Sequence, residues 1–142
     1  MKQQNYENHS KLDPMFHFGI AILTLATLVL SIIFFVKNVG DETLLSFVVL
    51  LAALTFLLMM VRLRTYPLQV QDRVIRAEEN FRYYRLTGKA LDPKLSMKQI
   101  IALRFAPEEE LPGLVERTLA ENLGPKEIKQ AVQNWRADHY RV

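Results

Sequence analysis

Cysteine is absent from all 142 residues. Disulfide frameworks, thiolate zinc sites, iron–sulfur clusters and cysteine nucleophiles are thereby excluded. Phosphate-binding loops, glycine-rich dinucleotide turns, nucleophile elbows and His-Glu-x-x-His elements are missing as well. No alternation of apolar and polar residues marks a strand. Neither sign of charge dominates, and the net +3 is too small to imply a nucleic-acid partner by itself. What is present is a mixture: half the residues are hydrophobic while 23% are charged, which suggests a greasy part and a polar part.

The greasy part is two uncharged runs. Phe16 to Val36 (FHFGIAILTLATLVLSIIFFV) contains fourteen Leu, Ile, Phe or Val. As a helix it rises roughly 31 Å, enough to cross a hydrocarbon core of about 30 Å. Those side chains favour insertion by roughly 4 to 8 kcal/mol. Leu44 to Val61 (LLSFVVLLAALTFLLMMV) reaches roughly 27 Å and spans if Arg62 snorkels. The rival reading, a buried core helix, does not suit two runs of this length in so short a chain. A cleaved leader is also set aside, because no small-x-small site follows the first run.

The expected layout is an N-terminal segment 1–15, spans at 16–36 and 44–61, a connector 37–43 and a helical domain 62–142. Lys2, Lys11, Arg62, Arg64, Arg73 and Arg76 flank the hairpin, whereas the connector holds Lys37 alone, beside Asp41 and Glu42. That asymmetry places both termini in the cytoplasm. Arg62, Arg64 and Tyr66 read as membrane-interface anchors. Thr24, Thr27 and Ser31 on one span, with Ser46, Ala52 and Ala53 on the other, supply small surfaces for close helix approach. No carboxylate, Lys or Arg lies within either run, and His17 sits at the cytoplasmic edge.

Beyond Thr65 the chain holds 13 basic and 11 acidic residues, the basic ones concentrated before Ala106. That arrangement suits a domain resting against anionic lipid. A first helix is expected from Pro67 to about Thr87, stopped by Gly88, with Leu68, Val74, Ile75 and Phe81 as its apolar stripe. Asp72 with Arg76, and Glu78 with Arg82, stand four apart and suit a solvated, ion-paired face. Ser96 and Gln99 form a capping box for MKQIIALRF, whose apolar face is Met97, Ile100, Ile101 and Phe105. Pro107 breaks that helix. Glu108, Glu109 and Glu110 favour the start of the next one through the helix dipole. Its core face is Leu111, Leu114, Val115 and Leu119, and Gly124 ends it. Pro125 opens a last helix bearing Ile128, Ala131, Val132 and Trp135. The fold class is all-α: a transmembrane hairpin followed by three or four amphipathic helices.

Three further constellations bear on function. The turn NLGPKE has helix-turn-helix spacing, with Lys126, Lys129, Arg136 and Arg141 within reach of phosphates, but its partner helix is acidic. His9, His17, His139, Glu7, Asp13 and Asp138 are metal-ligand types without ligand spacing, so no metal or cofactor is expected. Trp135, Arg136, Tyr140 and Arg141 crowd the C-terminal end, either folding back on the domain or forming an aromatic–arginine docking patch.

Four stretches together carry a family likeness: QNYENHSKLDPMFH, QDRVIRAEENFRYYRLTGKALD, QIIALRFAPEEELPGL and IKQAVQNWRADHYRV. The chain resembles an uncharacterised family of small two-span bacterial membrane proteins, a domain of unknown function. The resemblance implies a membrane protein with a cytoplasmic helical tail; it brings no activity, ligand or catalytic residue with it. The small-residue faces of the spans and the apolar helix stripes motivate the expectation of a non-enzymatic interaction or scaffolding module in the bacterial cytoplasmic membrane. Its partners would be the lipid bilayer and either a second copy or another protein. An oligomeric, holin-like pore and a membrane-tethered DNA binder are the alternatives, with nucleic acid the weaker partner.

Overall fold

The structure, a computed structural model, describes residues 5–6 and 12–138. All regular structure among them is helical. The chain divides into two compact units, Leu12–Leu68 and a second taking in Gln69–Val142.

The first unit is a hairpin. A π-helical start, Met15–Ile20, passes into α1, Ala21–Asn38. Asp13 organises that start: its Oδ1 accepts from the amides of Met15 and Phe16 at 3.0 and 3.3 Å. Its carbonyl accepts from Nδ1 of His17 at 2.8 Å. Only the four residues Val39 to Glu42 separate α1 from α2, Thr43–Thr87. Both helices are long and apolar enough to cross a membrane. Ser31, Ser46 and Ala53 are buried where they pack, and Phe35 meets Phe47 edge to face at 5.0 Å. Thr27 and Ala52, expected at that contact, instead face outward. The hydroxyls of Thr27 and Thr55 bond back to the carbonyls of Leu23 and Leu51, which satisfies them without a partner helix.

α2 departs from expectation at Pro67. A new helix was expected to open there, yet Thr43–Thr87 is one continuous helix with Pro67 inside it. The proline ring already holds a helical φ, so the cost is one lost amide donor and crowding of the preceding turn. Unbroken helix-forming residues on both sides carry the helix through. It ends where expected, at Gly88, whose φ of +71° suits glycine.

In the second unit, α3 (Met97–Leu103) packs mainly on α5 (Pro125–Ala131) and also touches α4 (Leu111–Glu121). The capping box forms: the Gln99 amide donates to Ser96 Oγ at 3.3 Å, and the Ser96 amide to Gln99 Oε1 at 2.8 Å. Gln99 Nε2 also donates to the Leu123 carbonyl, tying α3 to the α4–α5 turn. Ile75, Tyr83, Leu95, Ile100, Leu103, Leu111, Val115 and Ile128 belong to one buried cluster. Val74, Phe81 and Leu119, expected in that core, are exposed.

Two helix ends differ from the reading of the sequence. Glu110 occupies the N-cap of α4 without a side-chain cap bond, and no acidic residue lies in its first turn. Its carboxylate accepts instead from the amides of Gln133 and Asn134, both at 3.0 Å. α4 stops at Glu121 rather than Gly124, because Asn122 takes the left-handed conformation (φ 51°). Asparagine tolerates that region at modest cost. Gly124 is left to cap α5, its amide donating to Glu127 Oε2 at 2.6 Å.

Asn122→Val is expected to destabilise the protein by about 1–2 kcal/mol, since a β-branched residue is strained in the left-handed region. Asn122→Gly is expected to remain within about 0.5 kcal/mol of the parent. Denaturant titration of the full chain in detergent compares the two.

Candidate functional site

The expected interface anchors lie in the first unit, just past its apolar run. The Arg62 guanidinium stands over the Tyr66 ring at 5.5 Å, and that of Arg64 over the Phe16 ring at 5.8 Å. Both distances are within cation–π range. Arg64 thereby ties the far end of α2's apolar run to the start of the first helical stretch.

The less expected site is in the second unit. Helical spacing puts Ile75, Glu79, Arg82 and Tyr83 on one side of α2, and all four are buried. Glu79 and Arg82 are only 5% and 7% exposed. Arg82 Nη1 donates to Glu79 Oε2 at 2.8 Å and to the Arg104 carbonyl at 3.5 Å. Its Nη2 donates to the Ala106 carbonyl. The other Glu79 oxygen accepts from Arg136 Nη1 at 3.2 Å. Burial pushes the Arg82 guanidinium below its ordinary value, and the adjacent Glu79 carboxylate opposes that shift. The expected Glu78–Arg82 pair is not formed. Residue 82 reaches i−3, because that is where the buried carboxylate lies.

The C-terminal segment closes over this cluster. Trp135 packs on Phe105 with ring centroids 4.8 Å apart. The Arg136 amide donates to the Phe105 carbonyl at 2.8 Å. Asp138 pairs with Arg104 at 3.2 Å. Trp135 and Arg136 thus fold back on the domain, while Tyr140 and Arg141 lie outside the described residues. The signal for Glu79 and Arg82 was present in the sequence as their helical phase relative to Ile75. It was masked by the four-residue spacing of Glu78 and Arg82, which suits a solvated, ion-paired face equally well.

Chemically, this is a clasp. Each Glu79 oxygen is taken by a different arginine, and the adjoining cleft holds about 70 Å³. Small-molecule sites are several times larger. A more open groove of about 500 Å³ runs between α2 and the loop at Leu91–Pro93. Two of its polar groups are engaged: Asn80 Oδ1 accepts from the Leu91 amide and Asp92 Oδ1 from the Lys94 amide. Arg73 and Arg76 of that groove remain exposed to solvent.

The other sequence candidates are dispersed. Among the described residues no three His, Cys, Asp or Glu gather as a metal site would require. Asp13 caps a helix and Asp138 pairs with Arg104, whereas Glu7, His9 and His139 lie outside the described residues. Of the basic set on the last helix pair, Lys129 sits over the Phe105 ring at 5.8 Å and Arg136 is held by Glu79. Lys126 is exposed, and Arg141 is outside the described residues.

The whole chain, residues 1–142, matches a family of unknown function (DUF6526), and the protein belongs to that family. This agrees with the likeness to a domain of unknown function carried by the four stretches quoted above. No curated protein and no solved structure matches the chain.

Glu79→Ala is expected to cost about 3–5 kcal/mol, because it strands a buried guanidinium. Arg136→Ala is expected to cost about 1 kcal/mol or less, its side chain being 52% exposed. Trp135 is the single tryptophan. Its fluorescence during unfolding reports release of the C-terminal segment in each variant.

Proposed function

We propose that this is an integral protein of the bacterial cytoplasmic membrane, with both termini inside. On this reading its second unit is a non-enzymatic interaction or scaffolding module. The observation that carries it is how side chains are distributed over that unit. The buried charged groups Glu79, Arg82 and Arg104, the last paired with Asp138, are engaged in holding the fold together. Large apolar side chains on α2, by contrast, stand in solvent without a covering element among the described residues: Val70, Val74, Phe81 and Tyr84. Contiguous exposed apolar surface of this kind marks association. The hydroxyls of Thr27, Ser31 and Thr55 bond to carbonyls of their own helices, which supports this reading over an aqueous pore.

Two measurements test the proposal. The absence of cysteine allows single thiols to be introduced without background. Gly40, with open space around its Cβ position, is expected as Gly40→Cys to react with an impermeant maleimide in intact cells. Lys94→Cys is expected to react only after lysis. Labelling of both in intact cells would refute the topology. In parallel, mild crosslinking in cells is expected to give an adduct that disappears when residues 69–142 are deleted. Adducts unchanged by that deletion would refute the interaction role.

A further inference from the structure

We infer that the outer face of α2 beyond Gln69 pairs in parallel with the same face of a second copy of this chain. This rests on the proposed interaction role and names the partner. The apolar positions on that face are Val70, Val74, Ala77, Phe81 and Tyr84, spaced four, three, four and three. That alternation is the seam of a two-stranded coiled coil, with an average repeat of 3.5 residues. The larger four are 62%, 49%, 63% and 57% exposed, and Ala77 is exposed as well. The opposite side of the helix, bearing Ile75, Glu79 and Arg82, is already spent on the unit's own core.

The charges beside the seam select the partner and its direction. Val70, Ala77 and Tyr84 occupy d positions and Val74 and Phe81 a positions, which makes Arg73 a g residue and Glu78 an e residue. In a parallel pair, g of one helix faces the e residue five positions on in the other. Arg73 therefore meets Glu78 of the second copy, and symmetry makes the pair twice. Neither residue has an ion pair within the chain among the described residues. An antiparallel register centred on Ala77 would set Glu78 against Glu78. β-branched Val74 at a also favours two strands. Two heptads are few for isolated peptides. Here the helix already exists, and two chains held in one membrane meet at high effective concentration. Inserted with the same topology, they send α2 across in the same sense, which is the parallel arrangement.

The test is disulfide trapping of the full chain in native membranes. Val70→Cys, Ala77→Cys and Tyr84→Cys are each expected to give a covalent dimer, whereas Arg76→Cys, one residue off the seam, is not. These side chains are exposed, so the substitutions leave the core intact. In the Ala77→Cys background, Arg73→Glu is expected to lower trapping roughly ten-fold, as attractive rim pairs become repulsive. Adding Glu78→Arg is expected to restore it. Absence of dimer, equal trapping at 76 and 77, or trapping of Val70→Cys only with Tyr84→Cys overturns the inference. If trapping fails while a foreign adduct still requires residues 69–142, this pairing is wrong and the interaction role stands. If both fail, the interaction role falls too.

Discussion

The second unit depends on one guanidinium taken out of water. Arg82 is buried, and a buried charge is tolerated only when paired and hydrogen-bonded. Its requirements set the course of the chain around it. One nitrogen bonds Glu79 a turn earlier on α2; the other reaches the Ala106 carbonyl, just past the end of α3. The α3–α4 connection is thereby fastened to α2 by main-chain oxygens, whatever side chains it carries. Glu79 in turn has a second oxygen to satisfy, and Arg136 supplies the donor. That brings the C-terminal segment across the cluster and sets Trp135 on Phe105, which is fully buried. The order of dependence runs from Arg82 to Glu79 to Arg136 to the aromatic pair.

Local rules with a single outcome were legible in the sequence. The Ser96–Gln99 box and the Gly88 stop each follow from one residue type in one backbone conformation, and both are present. The two apolar runs were equally plain, because sustained absence of charge over about 20 residues has few explanations. What was not legible depended on competition between neighbours. Asn122 and Gly124 are both able to end α4, and the earlier residue does so by adopting a left-handed φ. Glu78 and Glu79 both lie within reach of Arg82, and burial decides for Glu79. Glu110 looks like a helix-start anion, yet amides at Gln133 and Asn134 claim its carboxylate from more than twenty residues away. Such long-range claims leave no trace in local spacing.

Pro67 illustrates the same limit from the other side. A proline following a run of helix formers is consistent with a new helix beginning at its ring or with an old one continuing through it. The cost of the second option is about 3 kcal/mol or more, largely one missing donor and a crowded carbonyl. The apolar part of α2 packed on α1 and the folded bundle after Gln69 both require helix on their own side of the proline. Ending the helix there would expose further unpaired main-chain groups at two new termini. Continuity keeps that number down.

The arrangement on α2 inverts the usual amphipathic helix. The side facing the core carries Glu79 and Arg82 alongside Ile75 and Tyr83, while the side facing solvent carries Val70, Val74, Phe81 and Tyr84. A helix selected only to sit on its own bundle gains nothing from large apolar groups turned to water, and it gains little from an ion pair turned inward, since desolvation offsets much of the attraction. Both become intelligible if the helix serves two contacts at once. An ion pair is directional: it holds the C-terminal segment and the α3–α4 connection in one register without demanding a broad apolar stripe on the inner side. The apolar stripe is thereby left to the outer side, in the four–three spacing that a second helix matches. Under the proposed pairing both broad faces of this one helix are used, the inner for the bundle and the outer for a second copy of the chain.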